Sequence, residues 1–516
     1  MAEKLFAAGS FYFMRFSELL ATAGVEARVV GDDAEVDSVW ADSRRCGPGS
    51  CFVAVRGWQA DGNAFIAEAV AAGASAVVCQ DDSHLPGEAV GKVPVAVVAD
   101  AHETLGLLSQ AIHGWPGRSL TCVGITGTNG KSTVAHITRE ILTAAGHRTA
   151  MLGTISYQTG SRARPAPMTS PPAEDLAAMM AEMVSAGVTH LVMETSSHAL
   201  HQKRTAGVDF RVGVFTNLTG DHLDYHGSME DYLGAKCKLF AGLGPGARAV
   251  INREDPRAKD IAKATAAEIC WYGLDECSYE CSTVAPGCEC SLRARMISAD
   301  AGGTVFDMIS ARQAVRVETP LIGRYNVLNC LASAGACISL GVSLEKIAYA
   351  LGRMSPVPGR LQPVPGGGDF QVFVDYAHTD DALENVLRAL KPICPGKLIV
   401  MFGCGGDRDK TKRPRMARAA AEQADAMVIT SDNPRSEDPQ QIIDDILAGL
   451  TGPDRSRTAV LVDRRQAIGR AIELAGPGDI VLLAGKGHEN YQIIAGERSH
   501  FDDVEEAGFF LANREQ

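Results

Sequence analysis

The sequence predicts a multidomain α/β protein built on mainly parallel sheets. Three observations carry that reading. At 516 residues the chain is long enough for about three domains of ordinary size. Short apolar, β-branched runs of strand length alternate with helix-length stretches, the pattern of βαβ units. Strand candidates repeatedly end in loops rich in Gly, Asp, His and Asn, the place where parallel sheets carry their ligands.

Composition narrows the class. Hydrophobic residues make up 46% and charged residues 22%, which fits a globular chain with several cores. With 49 Lys+Arg against 62 Asp+Glu the net charge is −13, which argues against a dedicated nucleic-acid binder. No apolar stretch reaches the length of a membrane span, and no basic segment followed by an apolar run opens the chain. The expectation is a cytoplasmic monomer with no nucleic-acid partner and no membrane span. The 14 cysteines are too sparse for a disulfide scaffold, and Cys79, Cys122, Cys330 and Cys337 sit singly in apolar runs, as buried thiols do. Cys277, Cys281, Cys288 and Cys290 are denser, but only their first spacing suits zinc, so a variable hairpin is the expected reading.

The elements fall into three groups. Residues 1–115 hold strands at 51–55, 76–79 and 95–98, helices at 67–74 and 102–113, and a polar loop over 82–92. Pro116 and Gly117 mark the next boundary. Residues 116–355 hold strands at 120–125, 190–193, 212–216 and 249–251, with helices at 133–145 and 173–186. Alternating runs over 289–319, around Ala301-Gly302-Gly303, predict antiparallel strands appended to that sheet. Helices follow at 326–340 and 344–351. Pro356 and Pro358 restrict the backbone of a linker over 354–359. Residues 356–516 hold strands at 370–375, 398–402, 426–430, 458–461 and 479–484, and helices at 380–389, 416–422 and 440–448.

The sharpest motif is Gly124-Ile125-Thr126-Gly127-Thr128-Asn129-Gly130-Lys131-Ser132-Thr133, between a strand and a helix. Gly127 and Gly130 permit a turn whose N–H groups face inward, and the helix start adds its positive dipole. Lys131 supplies a mobile charge for β- and γ-phosphates, and Ser132 or Thr133 can reach Mg²⁺. The usual pattern G-x-x-x-x-G-K-[ST] asks for glycine where Ile125 stands, so this loop is a variant with its glycine at 127. A chance glycine-rich turn is the competing reading.

Other strand ends carry chemistry as well. Glu194, in Glu194-Thr195-Ser196-Ser197-His198, can face the loop and hold Mg²⁺ through oxygen; a helix cap is the plainer reading. Asp221, His222, Asp224 and His226 crowd into one loop, which a solvated surface would also explain. Asn326 in Gly323-Arg324-Tyr325-Asn326 reads as a helix cap. Lys236, in Tyr232-Leu233-Gly234-Ala235-Lys236, is by spacing an ordinary helix lysine. In the third group four strands end in Asp375-Tyr376-Ala377-His378, in Gly405-Gly406-Asp407-Arg408, in Asp432-Asn433-Pro434-Arg435 and in Gly485-Lys486-Gly487-His488-Glu489. Four polar ends on one sheet define a crevice.

Together these motifs resemble the Mur ligase family, over about residues 20–510. The resemblance implies a UDP-sugar-binding domain at 1–115, a central P-loop ATPase-like domain that binds ATP at 116–355, and a Rossmann-like amino-acid-binding domain at 356–516. It implies joining of an amino acid to a carboxylate through an acyl phosphate, with ATP as co-substrate. Gly127, Thr128, Asn129, Gly130, Lys131, Ser132, Thr133 and Asn326 fall on ATP positions, as does Arg360, which reaches ATP on domain closure. Ser132, Glu194 and His222 fall on Mg²⁺ positions. Lys236 matches a lysine that CO₂ converts to a carbamate, replacing a cation by an anion toward a second Mg²⁺. Lys131, Glu194, His222 and Lys236 form the implied catalytic set. Ser43, Arg44, Thr169, Ser170, Ser196, Gln202 and Arg204 match positions that hold the UDP-linked substrate, although a basic surface also explains the first two. Asn63 stands where members usually have histidine.

The Asp432-Asn433-Pro434-Arg435 segment resembles the selectivity motif of members that add meso-diaminopimelate to UDP-N-acetylmuramoyl-L-alanyl-D-glutamate. Diaminopimelate has a distal zwitterion where lysine has only an ammonium. Arg435 can fork onto the distal carboxylate, Asn433 adds a hydrogen bond, Glu489 receives the ammonium and Gly485 offers its carbonyl. Arg408 meets the amino acid's own carboxylate, and Asp432 completes the implied set. A lysine-adding member of the family is the alternative.

Overall fold

The computed structural model describes residues 13–57, 60–82, 85, 91–160, 162–275, 291–310 and 313–514. Three sheets organise them. The first has five strands in the order Ala27–Val30, Val95–Val98, Ala76–Cys79, Ser50–Val53, Ser38–Trp40; only the first pair is antiparallel. Helices Phe16–Ala23 and Ala101–Ile112 cover one face, packing Leu19 and Leu108 with Val53 and Val78.

The central sheet has eleven strands. Thr149–Leu152, His190–Glu194, Thr121–Thr126, Phe210–Phe215, Arg248–Asn252 and Glu268–Leu274 run parallel, in that order. Ser291–Asp300 continues the sheet, and Gly303–Ser310 and Gln313–Thr319 add to it antiparallel, as the alternation over 289–319 predicts. Thr121–Thr126, first of the parallel set in sequence, lies in the interior of the sheet. The chain therefore crosses to one side and back to the other around it, and a crevice opens at its carboxyl end. Helices Lys131–Ala144 and Arg324–Ser339 bury Ile137 and Leu331 on one face; Met180 and Phe240 lie in the core of the other.

The third sheet runs Gln362–Val364, Gln371–Asp375, Ile480–Ala484, Leu398–Phe402, Ala426–Ile429, Thr458–Val460, with only the first pair antiparallel. Leu398–Phe402 is apolar and buried at every position, because helices cover both faces of a parallel sheet.

Several expectations change. The helix expected over 416–422 runs Lys412–Gln423. Its polar start misleads because Arg413 is fully buried, paired with Glu437 at 2.9 Å and Asp445 at 2.8 Å. Helices Arg464–Glu473 and Asp503–Arg514 were not expected; a buried Arg464–Asp503 ion pair at 2.6 Å joins them. Asn326 is not a cap. Gly323 holds that place, the helix starts at Arg324, and the Asn326 amide donates to the Ile322 carbonyl at 2.9 Å. Cys79, Cys122, Cys330 and Cys337 are buried free thiols. The Cys277–Cys290 cluster lies outside the described residues. Among the described residues no helix is long and apolar enough to cross a membrane.

Candidate active site

The loop after Thr121–Thr126 owes its shape to two glycines. Gly127 has φ +152°, and a Cβ there would stand 1.9 Å from Thr216 Oγ1; Gly130 has φ +86°, and its Cβ would meet Asn329 Oδ1 at 2.5 Å. No side chain fits either place. The loop is laced to the neighbouring strand end: Thr216 Oγ1 donates to Asn129 O at 2.6 Å, and Asn129 N–H to Asn217 Oδ1 at 2.8 Å. Lys131 Nζ turns back on the loop, donating to Gly127 O at 3.0 Å and Thr128 O at 2.8 Å. Burial lowers its ammonium pKa, with Glu194 and Asp221 opposing.

Glu194 ends its strand with its carboxylate buried. It accepts from Thr154 N–H at 2.8 Å, Thr154 Oγ1 at 3.0 Å and Ser132 Oγ at 3.1 Å. Thr154 Oγ1 also meets Thr169 Oγ1 at 3.0 Å. From there one network continues. Ser170 Oγ donates to Glu194 O at 2.8 Å and lies 3.3 Å from Ser196 Oγ; Arg204 donates to Ser170 O at 2.9 Å and to Gln202 Oε1 at 2.7 Å. The structure thus brings Thr169, Ser170, Ser196, Gln202 and Arg204 together. Ser43 and Arg44 lie apart: Ser43 donates to Glu68 at 3.1 Å, and the exposed Arg44 pairs with Asp42 at 2.7 Å. Asn63 is buried and donates to Asp61 at 2.7 Å.

Lys236 is no ordinary helix lysine. It is buried, its Nζ donates to Gly127 O at 2.8 Å, and it lies 4.2 Å over the Tyr232 ring. Burial first, and the Lys131 charge second, hold its ammonium well below the usual range. His222 has φ +54° and lies 3.5 Å from Asp221, with its ring edge-on to His198 at 4.8 Å. Burial lowers the His222 pKa, and Asp221 opposes that shift.

The third sheet closes the crevice from the other side. Arg360 donates to Ser132 Oγ at 3.2 Å and stacks 4.6 Å over Tyr376. Asp381 accepts from Asn129 Nδ2 at 2.7 Å and Thr219 Oγ1 at 3.2 Å. Between the two sides lies a cavity of about 480 Å³, lined by Lys131, Glu194, His222, Asn329, Arg360 and His378 among others.

The amino-acid candidates occupy neighbouring strand ends. Asn433 Nδ2 donates to Glu489 Oε2 at 2.8 Å. Arg435 has φ +55°, a conformation that costs a non-glycine residue energy and is concentrated at functional sites. Its guanidinium donates to Gly406 O at 2.6 Å. Burial, then the Asp432 charge, raise the Glu489 carboxyl. The Gly485 N–H donates to Asp375 O at 3.0 Å. Arg408 is exposed and bonds only the Asp407 carbonyl among the described residues. Asp432 is buried and forms an ion pair with Lys486 at 3.1 Å.

Family models match this chain in three parts: the Mur ligase family catalytic domain at 16–112, the Mur ligase middle domain at 125–337, and the Mur ligase glutamate ligase domain at 359–487. A UDP-N-acetylmuramoyl-L-alanyl-D-glutamate–2,6-diaminopimelate ligase of Geobacillus thermodenitrificans is 43% identical over 479 residues, 92% of this chain and 94% of that protein. The chain belongs to the Mur ligase family. A protein of the same name from Trichormus variabilis is 43% identical over 514 residues, covering 98% of this chain and 100% of its own. A solved structure of a ligase of that name matches this Mur ligase with a TM-score of 0.66 at 32% identity, over 93% of this chain and 96% of its own. The MurF ligase of Thermotoga maritima in complex with ADP shares the fold at 18% identity, with a TM-score of 0.58 over 92% and 98%.

Three residues at this Mur ligase's site escaped sequence reasoning. Thr154 follows a short strand that was not expected, so nothing pointed to its carboxylate partner. Asp381 looks like an ordinary first-turn acid, and its partner Asn129 lies 252 residues away. Lys486 sits between the two glycines of its own motif, where it reads as a loop cation.

Proposed function

We propose that this Mur ligase adds meso-diaminopimelate to UDP-N-acetylmuramoyl-L-alanyl-D-glutamate in peptidoglycan precursor synthesis, splitting ATP into ADP and phosphate. The observation that carries the reading is the grouping of Asn433, Arg435 and Glu489, one amide, one guanidinium and one carboxylate, on strand ends of the sheet that closes over the phosphate loop. A distal zwitterion needs donors for its carboxylate and an anion for its ammonium, and these groups supply both. The names of the 43%-identical relatives point the same way. We place the reaction in the cytoplasm, where ATP and nucleotide-linked precursors meet.

In this reading the γ-carboxylate of the D-glutamyl residue attacks the γ-phosphorus of ATP, and ADP leaves. The loop N–H groups and Lys131, released from Gly127 O and Thr128 O, then meet phosphate oxygens. Thr169, Ser170, Ser196, Gln202 and Arg204 hold the UDP-linked substrate, with Ser43 and Arg44 at its nucleotide end. Asn326 accepts from Asn329, which lines the cavity, and is assigned to the nucleotide side. The amine of diaminopimelate attacks the acyl phosphate, losing a proton as phosphate departs. Reacting atoms must come within about 3–3.5 Å, which requires the two sides to close as they do here.

The donor set suits Mg²⁺: the Glu194 carboxylate, the Ser132 hydroxyl that donates to it at 3.1 Å, and His222 line one cavity and would hold the ion together with water and phosphate oxygens. Bound there, the ion offsets negative charge on the phosphoryl oxygens. Lys236 fits a carbamate, because burial favours the neutral amine that combines with CO₂, releasing one proton.

The test is direct. Purified protein, Mg-ATP and the UDP-linked dipeptide are offered diaminopimelate or lysine, and the product mass is measured. An adduct with diaminopimelate alone is expected; efficient use of lysine would favour the alternative. An ¹⁸O label in the substrate γ-carboxylate should appear in released phosphate, and its absence would exclude the acyl phosphate.

A further inference from the structure

We propose that Lys486 is the positioning residue of the amino-acid site: its buried ammonium neutralises Asp432 and fixes the polarity of the Asn433–Glu489 pair that faces the substrate. This rests on the reading of the site as a diaminopimelate site.

Lys486 is fully buried, and its Nζ donates to Asn433 Oδ1 at 3.2 Å and to the Tyr491 carbonyl at 2.8 Å. It also forms an ion pair with Asp432 Oδ1 at 3.1 Å. Asn433 Oδ1 also accepts the Ile493 N–H at 2.9 Å. Both acceptor directions of that amide oxygen are therefore filled from behind. Only Nδ2 is left to point forward. One of its hydrogens goes to Glu489 Oε2 at 2.8 Å, and the other remains to offer a substrate carboxylate. The crevice thus presents a donor at Asn433 and an anionic acceptor at Glu489, one for each half of a zwitterion.

The charges require the same lysine. Asp432 and Glu489 are two carboxylates in one poorly solvated wall, and each disfavours ionisation of the other. Burial and Asp432 raise the Glu489 carboxyl, whereas Lys486 opposes them. Burial alone would raise Asp432 too; Lys486 and Arg464 overcome it and hold it below the usual range. Without Lys486 the wall would hold two mutually repelling acids. Glu489 would then take up a proton, and a neutral acid binds an ammonium poorly. Lys486 acts only through Asp432, Asn433 and Glu489, and is distinct from the groups that meet the amino acid.

The experiment compares full-length wild type, Lys486→Met, Asp432→Asn and the double variant in steady-state assays with meso-diaminopimelate, ATP and the UDP-linked dipeptide. Lys486→Met keeps the length of the side chain and removes the charge. It should raise KM for diaminopimelate at least 10-fold, with KM for ATP and for the dipeptide within 2-fold of wild type. Asp432→Asn should do likewise, because the freed ammonium then pairs with Glu489. The double variant, which buries neither charge, should bring KM for diaminopimelate at least 3-fold below that of either single variant. A change confined to the KM of one substrate, reversed by the second substitution, is not what simple loss of folded protein produces. If Lys486→Met is insoluble, Asp432→Asn and the double variant carry the same comparison. Equal loss toward all three substrates, an unchanged KM in a folded single variant, or a double variant no better than the singles would each overturn the assignment. Wild type that makes no product with diaminopimelate would instead overturn the proposed function.

Discussion

Asp381 gives the clearest handle on how the two sides of the site come together. It lies in the first turn of the helix Asp380–Leu390, yet its carboxylate accepts from Asn129 of the phosphate loop at 2.7 Å and from Thr219 at 3.2 Å. These contacts can exist only when the third sheet is closed on the central one. Hydrogen bonds to charged groups contribute about 1.5–3 kcal/mol each in net terms. Because water satisfies Asp381 in an open form, the pair together favours closure by about 2–3 kcal/mol, a shift of roughly 30- to 150-fold in the equilibrium. Asp381→Ala should therefore lower kcat by roughly 10-fold or more, with bound substrates offsetting part of the shift. KM for the UDP-linked dipeptide, held on the central side, should stay near wild type. Burial raises the Asp381 carboxyl, so the closed form disfavours its charge. Asp381→Asn keeps an acceptor oxygen without that charge and should retain most activity. Turnover and small-angle scattering with an ATP analogue and the UDP-substrate test this together. An alanine variant with wild-type kcat and an unchanged closed profile would refute the reasoning.

Arg435→Ala should cost about 2–4 kcal/mol in transition-state binding, or roughly 30- to 1000-fold in kcat/KM for diaminopimelate. An unchanged ratio of diaminopimelate to lysine efficiency would remove Arg435 as the carboxylate reader. Lys236→Ala should remain folded by circular dichroism and lose most activity, with excess CO₂ giving no rescue and a small added carboxylate restoring some; near-normal turnover would reject the carbamate assignment. Burial first, and His147 second, lower His190 from 6.5 to about 4. Between those values the unfolded chain holds the extra proton, so stability rises with pH across the window and is lost as pH falls through it. His190→Gln should flatten that part of the Tm-against-pH curve, and an identical slope in both proteins would exclude His190 as a contributor.

What the sequence made legible was the set of strand ends. Gly127 and Gly130, Glu194, and Asn433 through Arg435 stand next to apolar runs, so punctuation and chemistry coincide. Five of the seven positions expected to hold the UDP-linked substrate form one network, because the 169–170 loop and both ends of the helix Ser197–His201 meet beside Glu194. Less legible were charged residues that the fold buries. Arg413, Arg464 and Lys486 look like surface side chains, and only partners distant in sequence make their burial tolerable. Asn326 misled for a local reason: Gly323, at φ +94°, caps the helix that starts at Arg324, so the asparagine falls inside the first turn.

The hydroxyl of Ser132 ties these observations to the chemistry. It donates to Glu194 and accepts from Arg360, so one oxygen on the phosphate loop connects the buried Glu194 carboxylate to the third sheet. Arg360 follows directly on Pro356 and Pro358, where the chain passes from one sheet to the other. Asp381 reaches the same loop at Asn129, three residues before Ser132. Two contacts from the third sheet therefore land on the loop proposed to hold the triphosphate. A phosphate loop completed from the far side is fully assembled only when the wall proposed to carry the incoming amine is already in place. In the proposed mechanism that arrangement would form the acyl phosphate where its nucleophile can reach it and water has the least access, so that domain closure and site assembly are one event.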